Sequence, residues 1–503
     1  GVVATRAPLI NNQGDFSNRP DEWAVRTDGF KVNNQAALGN EGYDINNSNT
    51  INIQGYIWMV AVDADNGKIY FGKNGLWLAG ANPYSGSNAH YTNLSGYELC
   101  AAMGRRSGAN AANINFGQTP FVYNPPEGFK ALCTSNIKHG PVRDPRQHFG
   151  AVLWTGNSST SNRKISGLKF KPDLVWSKTR NYAYHHVLMD SVRGPSNKLN
   201  SDQNFTENFT TGGHLASFDD DGFTWQYGSG SGNEWWNQNY NYVAWAWKAG
   251  GNSNTFNIDG VGYATAAAAG LNGGTSNPTG ASVNTEAGFS IISYTATNNQ
   301  NVSYSHGLNQ APEIIITKNR DGTSNWGVYY TVLGTNTNWS VLNLTDAQGS
   351  NNSGTTPVGG SSGTFMYLHQ DYFAPSYNAF ANGSNDGNDK MIAYMWHSVP
   401  GYSKVGVFNG DSETDNTFIP CGFRPAFIIA RSLQSAGGQW WMVDTKRDPD
   451  NVVYNMLDAN RANAERTDTI YDINSNGFKV RLGLNTDNFI FLAFAEQSIS
   501  NPF

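Results

Sequence analysis

The sequence predicts an all-β, multi-domain chain of β-sandwiches in which three related β-rich repeats follow a first β-domain. Three observations carry that prediction. Aromatic residues make up 13% of the 503 residues and charged residues only 14%, with 55 glycines. Apolar bulk is therefore plentiful, and the polar surface is built from amides and hydroxyls rather than ions. A short phrase, proline then an acidic or small residue then large apolar residues, is written three times: "KPDLVWSKTR" from Lys171, "APEIIITKNR" from Ala311 and "RPAFIIARSL" from Arg424. Asp-Gly and Asn-Gly steps sit between apolar runs, as tight hairpin turns require.

Residues 1–147 form the first domain. Within it "GYIWMVAVDADNGKIYFGKNGLWLAG" (55–80) reads as strand, turn, strand, turn, with Asn66-Gly67 and Asn74-Gly75 supplying positive φ. The repeats follow at 148–249, 286–399 and 400–503. Each opens on a strand: "FGAVLWTGN" (149–157), "FSIISYTAT" (289–297) and "SKVGVFNGD" (403–411). A turn at Gly167, Gly307 or Gly422 leads to the phrase, whose Pro172, Pro312 or Pro425 stands where a strand's first residue need not donate a hydrogen bond. Leu174–Trp176, Ile314–Ile316 and Phe427–Ile429 are apolar on both faces, which predicts central, fully buried strands. The echo continues through "HVLMDSVRG" (186–194), "WGVYYTVLG" (326–334) and "WWMVDTKRD" (440–448). Each repeat closes on an apolar strand, "YVAWAW" (242–247), "MIAYMW" (391–396) or "FIFLAFA" (489–495). Segment 250–285, rich in Gly, Ala, Ser, Thr and Asn, reads as a linker or loose insertion. "NMLDANRANAER" (455–466) is the best short helix candidate.

A net charge of −6 without a lysine–arginine cluster argues against nucleic acid as the partner. No run of about 18 apolar residues predicts a membrane span. The opening "GVVATRAPLI" has neither Met nor a signal layout and reads as a processing or truncation point. Cys100, Cys133 and Cys421 are far apart and predict neither a disulfide framework nor a zinc site.

No catalytic, cofactor or metal constellation stands out. The acidic runs "VDADNG" (62–67) and "FDDDG" (218–222) lack the spaced ligands and distal Glu of a calcium loop, so turn chemistry explains them. "NGDSETD" (409–415) has no histidine partner for a nucleophilic serine. Adjacent His185 and His186 would point to opposite faces of a strand, and His186 aligns with Trp326 and Trp440, which makes it a packing position. The binding signal lies in aromatic residues among amides. In "GSGSGNEWWNQNYNY" (228–242) these include Trp235, Trp236 and Tyr240; in "YLHQDYFAPSYNAF" (367–380), read as the corresponding loop of the second repeat, they are His369, Tyr372 and Tyr377. Rings of this kind stack on sugar faces while amides bond hydroxyls, although two adjacent Trp can equally cap a sandwich.

The first domain, from "GVVATRAPL" (1–9) through the 55–80 hairpins to "NFGQTPFVYNPPEGFKALCT" (115–134), resembles SPRY domains, a concanavalin-type sandwich. Strands that precede the equivalent of Gly1 in that pattern are missing, so the resemblance implies an incomplete sandwich whose open edge is covered by residues outside this sequence. Together with repeats carrying "KPDLVWSKTRN", "DSVRG", "DDDGFTW" and "YVAWAWKAG", the whole resembles tail proteins of marine bacteriophages, short-tailed cyanophages in particular. That resemblance implies a non-enzymatic virion appendage, a tail fibre or adhesin, attached to other tail proteins and binding a host cell-surface glycan or receptor. It implies an extracellular setting and no cofactor. A homotrimer is expected, because symmetric appendages multiply weak sites. The alternatives are a secreted bacterial lectin or adhesin and, third, a tail-associated glycan depolymerase.

Overall fold

The computed structural model describes residues 2–4, 22–25, 30–33, 36–40, 56–94, 99–101, 113–133, 136, 140–209, 213–227, 240–297, 302–332, 338–345, 366–375, 388–410, 418–434, 438–481, 483–484 and 487–495. The fold is all-β, with only short 3-10 turns among the described residues. No helix among them is long and apolar enough to cross a membrane. The chain divides into an N-terminal unit, Gly1–Lys138, and a larger one, His139–Ile499.

In the N-terminal unit Trp58–Asp63 pairs with Lys68–Lys73, which pairs with Leu76–Trp77. Asn74 and Gly75 hold φ of 50° and 84°, as the second hairpin turn demands. Ile69, Phe71, Leu78, Tyr91 and Leu94 form a small core over this ribbon. A separate antiparallel sheet runs in the order Ala36–Asn40, Phe30–Asn33, Glu22–Val25, Val2–Ala4, Leu99–Ala101.

The three repeats of the larger unit share one strand order. The opening strand (Phe149–Thr155, Phe289–Thr295 or Ser403–Asn409) pairs with the closing strand (Asn241–Trp247, Lys390–Trp396 or Asn488–Ala495). The closing strand pairs in turn with the phrase strand (Leu174–Thr179, Ile314–Asn319 or Pro425–Ser432). Next comes Val187–Asp190, Gly327–Tyr330 or Trp441–Asp444. A smaller three-stranded sheet accompanies the main sheet of repeat 1 (Arg163–Ser166, Gly222–Gln226 and His214–Asp219) and of repeat 2 (Tyr304–Ser305, Tyr372–Pro375 and Met366–Leu368). In repeat 3 the equivalent strands, Phe418–Pro420, Gly477–Val480 and Arg466–Asn474, continue the main sheet into one of eight strands.

The phrase strands are central, and both their faces are buried because each face meets a different core. Val175, Ile315 and Ile428 point into their own repeat's sandwich. Leu174, Trp176, Ile314, Ile316, Phe427 and Ile429 point the other way, into one core that all three repeats share. The acidic residue of the phrase has its own task. Asp173 accepts the backbone N–H of Ala249 at 2.8 Å, and Glu313 that of Ser398 at 2.6 Å, so each carboxylate ties down the chain as it leaves the closing strand.

Equivalent hydrogen bonds close the repeats into a ring. Trp176 Nε1 donates to His186 Nδ1 at 3.0 Å, which leaves His186 Nε2 to donate to the Asp458 carbonyl at 2.9 Å. Trp326 Nε1 donates to the Asn200 carbonyl at 2.8 Å and Trp440 Nε1 to that of Val341 at 3.2 Å. Repeat 1 thus bonds repeat 3, repeat 2 bonds repeat 1, and repeat 3 bonds repeat 2. The packing position expected at His186 is this ring joint.

Two of the three joints also hold a buried charge chain. In the first, Arg193 bonds Asp190 at 2.5 Å and Glu207 at 3.0 Å, and Glu207 bonds Arg320 of repeat 2 at 2.6 Å. In the second, Arg447 bonds Asp444 at 2.6 Å and Glu465 at 3.0 Å, and Glu465 bonds Arg180 of repeat 1 at 2.8 Å. Tyr394 Oη donates to Asp190 and Trp245 Nε1 to Asp444, each from the neighbouring repeat. At the third joint the equivalent positions carry Tyr330, Leu433 and Leu492, all members of the shared apolar core.

Two expectations need correction. Segment 250–285 is not a loose linker: Phe256–Ile258, Val261–Tyr263 and Gly280–Asn284 extend the main sheet of repeat 2 to eight strands. Phe256, Leu271 and Val283 fill that repeat's core, so few but well-spaced apolar residues suffice. The helix candidate 455–466 instead lies in the strand Val453–Asp458 and the start of Arg466–Asn474. Met456 and Leu457 are buried there in different cores, a tertiary demand that overrides local helix propensity.

The charge chains predict an asymmetric mutational response. Arg447→Leu alone leaves the buried Asp444 carboxylate without its cation, while Glu465 keeps Arg180, and should cost about 3–5 kcal/mol in urea unfolding. Asp444→Tyr combined with Arg447→Leu writes in the residues that repeat 2 uses, Tyr330 and Leu333, and should recover most of that loss.

Acid should loosen the same unit. Burial pushes His148 down to about 4, His186 to about 3 and His306 to about 4. An unfolded imidazole titrates near ~6.5, so below that pH the unfolded chain binds more protons than the folded one. Asp173, raised by burial, works in the opposite sense but is a single group. The melting temperature should therefore hold above about pH 6.5 and fall steadily towards pH 4.

Candidate ligand-binding site

The hairpin 366–375 of repeat 2 alternates strictly. Met366 and Phe373 are fully buried in the repeat's core. Tyr367, His369 and Tyr372 are half-buried and present their rings to each other. His369 and Tyr372 stack with ring centres 4.4 Å apart and planes 16° from parallel. The two residues face each other across the turn, where His369 N–H donates to the Tyr372 carbonyl at 2.9 Å. Tyr372 is in register with Ser305 on the next strand, so Ser305, Tyr372 and His369 form one row across the small sheet.

The row is braced from two sides. His306 Nε2 donates to the His369 carbonyl at 3.0 Å, while its Nδ1 accepts from Leu308 N–H at 3.0 Å. Burial keeps this imidazole neutral, with its pKa down at about 4, which fixes that tautomer at neutral pH. Ser305 Oγ accepts from the N–H groups of Gly273 and Gly274, and Ser276 bridges to Tyr304. The insertion 250–285 thus lays a glycine-, serine- and threonine-rich border beside the aromatic row. Chemically this is a ring platform with exposed Gln370 and Asp371 at its tip, suited to stacking plus hydrogen bonding.

The other repeats show what the fold itself needs here. Repeat 1 has Ser217, Asp219 and Gly222 at the places of Tyr367, His369 and Tyr372, with Asp219 accepting from Ser217 Oγ at 2.7 Å and from Oγ1 of nearby Thr224 at 2.6 Å. Repeat 3 has Asp472, which pairs with Arg481 at 2.7 Å. A polar cluster satisfies the hairpin in both, so the three rings of repeat 2 answer no demand of the backbone.

The sequence-predicted residues divide accordingly. His369 and Tyr372 come together; the neighbouring Tyr367 completes their cluster. Tyr240 lies in repeat 1, where its ring stacks on Tyr182 at 4.8 Å. Trp235, Trp236 and Tyr377 lie outside the described residues. The expected correspondence between 367–380 and 228–242 is corrected in part: 366–375 is the counterpart of the hairpin 214–226, and only the residues after it precede the closing strand. The acidic runs behave as turns, since Asp63 accepts from Asn66 N–H at 3.1 Å and from its side chain at 2.9 Å. No cluster of metal-binding side chains occurs among the described residues.

Comparison with known proteins gives one match. Residues 144–498 match the family model of a domain of unknown function, DUF7483. No curated protein and no solved structure matches the chain.

The hairpins should respond differently to truncation. Asp219→Ala removes two hydrogen bonds to a carboxylate and is expected to cost about 1–3 kcal/mol. Tyr372→Ala or His369→Ala, both half-exposed, should cost less than about 1 kcal/mol each in the same denaturation assay.

Proposed function

The chain belongs to the DUF7483 family, and we propose that it is a non-enzymatic virion appendage, a phage tail fibre or tail adhesin that binds a glycan on the host cell surface. The observation that carries the glycan reading is the Tyr367–His369–Tyr372 platform, three mutually packed rings on a rigid sheet where sister repeats keep polar residues or glycine. Stacked aromatic faces bordered by hydroxyls and backbone amides suit the alternating apolar faces and hydroxyl edges of a sugar. The virion reading is supported by the resemblance of the SPRY-like start and the repeats to phage tail proteins. A particle-borne adhesin must keep its binding face rigid, and a body closed on itself by buried hydrogen bonds meets that need.

A glycan array probed with the purified chain tests this reading. The chain should bind one class of polysaccharide, and His369→Ala with Tyr372→Ala should weaken that binding about tenfold or more with the melting temperature unchanged. Antibody against the chain should block adsorption of the particle to its host. Failure to bind any glycan overturns the adhesin reading, and release of reducing ends from the bound polymer replaces it with a depolymerase.

A further inference from the structure

Position by position, the start of the loop after the phrase strand is held alike in all three repeats. The backbone N–H of Arg180, Arg320 or Leu433 donates to the carbonyl of Asn241, Lys390 or Asn488 at 2.7, 2.8 and 2.8 Å. The next side chain, Asn181, Asp321 or Gln434, accepts the N–H of that same closing-strand residue. Buried Lys178 and Lys318 each donate to carbonyls of this loop, those of Tyr182 and Gly322 among them. The residue before the closing strand is Tyr240, Asp389 or Asp487, and its carbonyl accepts from Gly156, Ala296 or Gly410.

The scaffold is constant, yet the side chains on it are not. In repeats 2 and 3 the aspartate is tied back to the end of the phrase strand, Asp389 to Asn319 and Asp487 to Ser432, each at 2.7 Å. Repeat 2 carries Gly322 and Ser324 in the loop. Repeat 1 abandons this polar tie. Tyr182 and Tyr240 stack at 4.8 Å and 16°, and Tyr184 packs against both at 5.0 and 5.9 Å. Tyr182 remains 47% exposed. The described loop of repeat 2 makes the same backbone bonds with Gly322, Ser324 and Asp389 at those places, so this backbone does not require the three tyrosines.

We infer that Tyr182, Tyr184 and Tyr240 form a second carbohydrate subsite, on repeat 1, and that the natural ligand is a repeating polysaccharide held at two points of one rigid body rather than a single terminal sugar. The inference rests on the glycan reading of the repeat 2 platform. The loop's geometry is set by the ring: Arg180, at its base, is held by Glu465 of repeat 3 through two hydrogen bonds of 2.8 and 2.9 Å. Both subsites therefore sit on fixed supports, and a polymer bound at one raises its own effective concentration at the other.

Calorimetric titration with β-1,3-glucan, mannan and galactan, and with trisaccharides of each, provides the test. Wild type should bind the trisaccharide of its preferred polymer at two sites per chain. Tyr182→Ala with Tyr184→Ala should leave one, lower polymer affinity by about tenfold or more, and leave the melting temperature unchanged. His369→Ala with Tyr372→Ala should do the same through the other subsite. If only the repeat 2 variant loses binding, the adhesin reading stands and the second subsite falls. If the tyrosine variant lowers the melting temperature without changing stoichiometry, the cluster is structural and the inference falls. Wild type that binds no probe overturns both.

Discussion

Two buried guanidiniums are neutralised where they lie by carboxylates that also reach a neighbouring repeat, and two of the three joints depend on that pairing. Arg193 and Arg447 have no exposed side-chain surface; burial works against their charge, and the carboxylates beside them outweigh it and hold both charged. Asp190 and Asp444 answer them within the repeat; Glu207 and Glu465 do so too, and then reach an arginine of the neighbour. A charge chain that is complete only with the correct neighbour selects that neighbour. The joint between repeats 2 and 3 has apolar residues at those places, and its buried Arg431 donates to the Val341 carbonyl at 2.7 Å, so three similar sandwiches are given three non-identical seams. A ring of three distinguishable joints has one correct order, although its members share a fold.

Three copies of one sandwich in a single chain also separate what the fold demands from what it tolerates. The carbonyls that receive His186, Trp326 and Trp440 are equivalent, as are the backbone bonds that anchor the loop after each phrase strand. These are demands. Ser217, Tyr367 and Asp472 occupy one position on the small sheets, and Tyr240, Asp389 and Asp487 another. These are freedoms, and clustered aromatic residues at free positions are where binding chemistry is best sought.

The division of faces follows from the ring. The central strands of each main sheet turn one face to the shared core and the other to the repeat's own core, so neither face of those strands remains for a ligand. The outer surface of a small sheet and the loops at strand ends are more open. The Tyr367–His369–Tyr372 row and the Tyr182–Tyr184–Tyr240 cluster occupy those two kinds of place. Both stand on elements fixed by buried bonds, through His306 in one case and Lys178 in the other, which limits the ordering cost of binding.

Much of this was legible in the sequence because strands write their burial into local runs. The phrase, its leading proline and the apolar closing strand determined the all-β class, the central strands and the three-fold repetition, and Gly167, Gly307 and Gly422 do take positive φ. His369 and Tyr372 were legible as neighbours in a hairpin. Tyr182 and Tyr184 were not, since their partner Tyr240 is far along the chain and adjacency there depends on strand pairing between Thr179 and Tyr242. Composition misjudged 250–285, because a few apolar residues placed on one sheet edge bury as well as a dense run, and it misjudged 455–466, because propensity is weaker than two cores pulling on opposite faces. By itself the sequence determined the sandwich, for alternation and turn chemistry act over a few residues. Only the tertiary structure decided the ring and the ring-stacked clusters, because buried charges and aromatic faces find partners in space, across distances that no local pattern records.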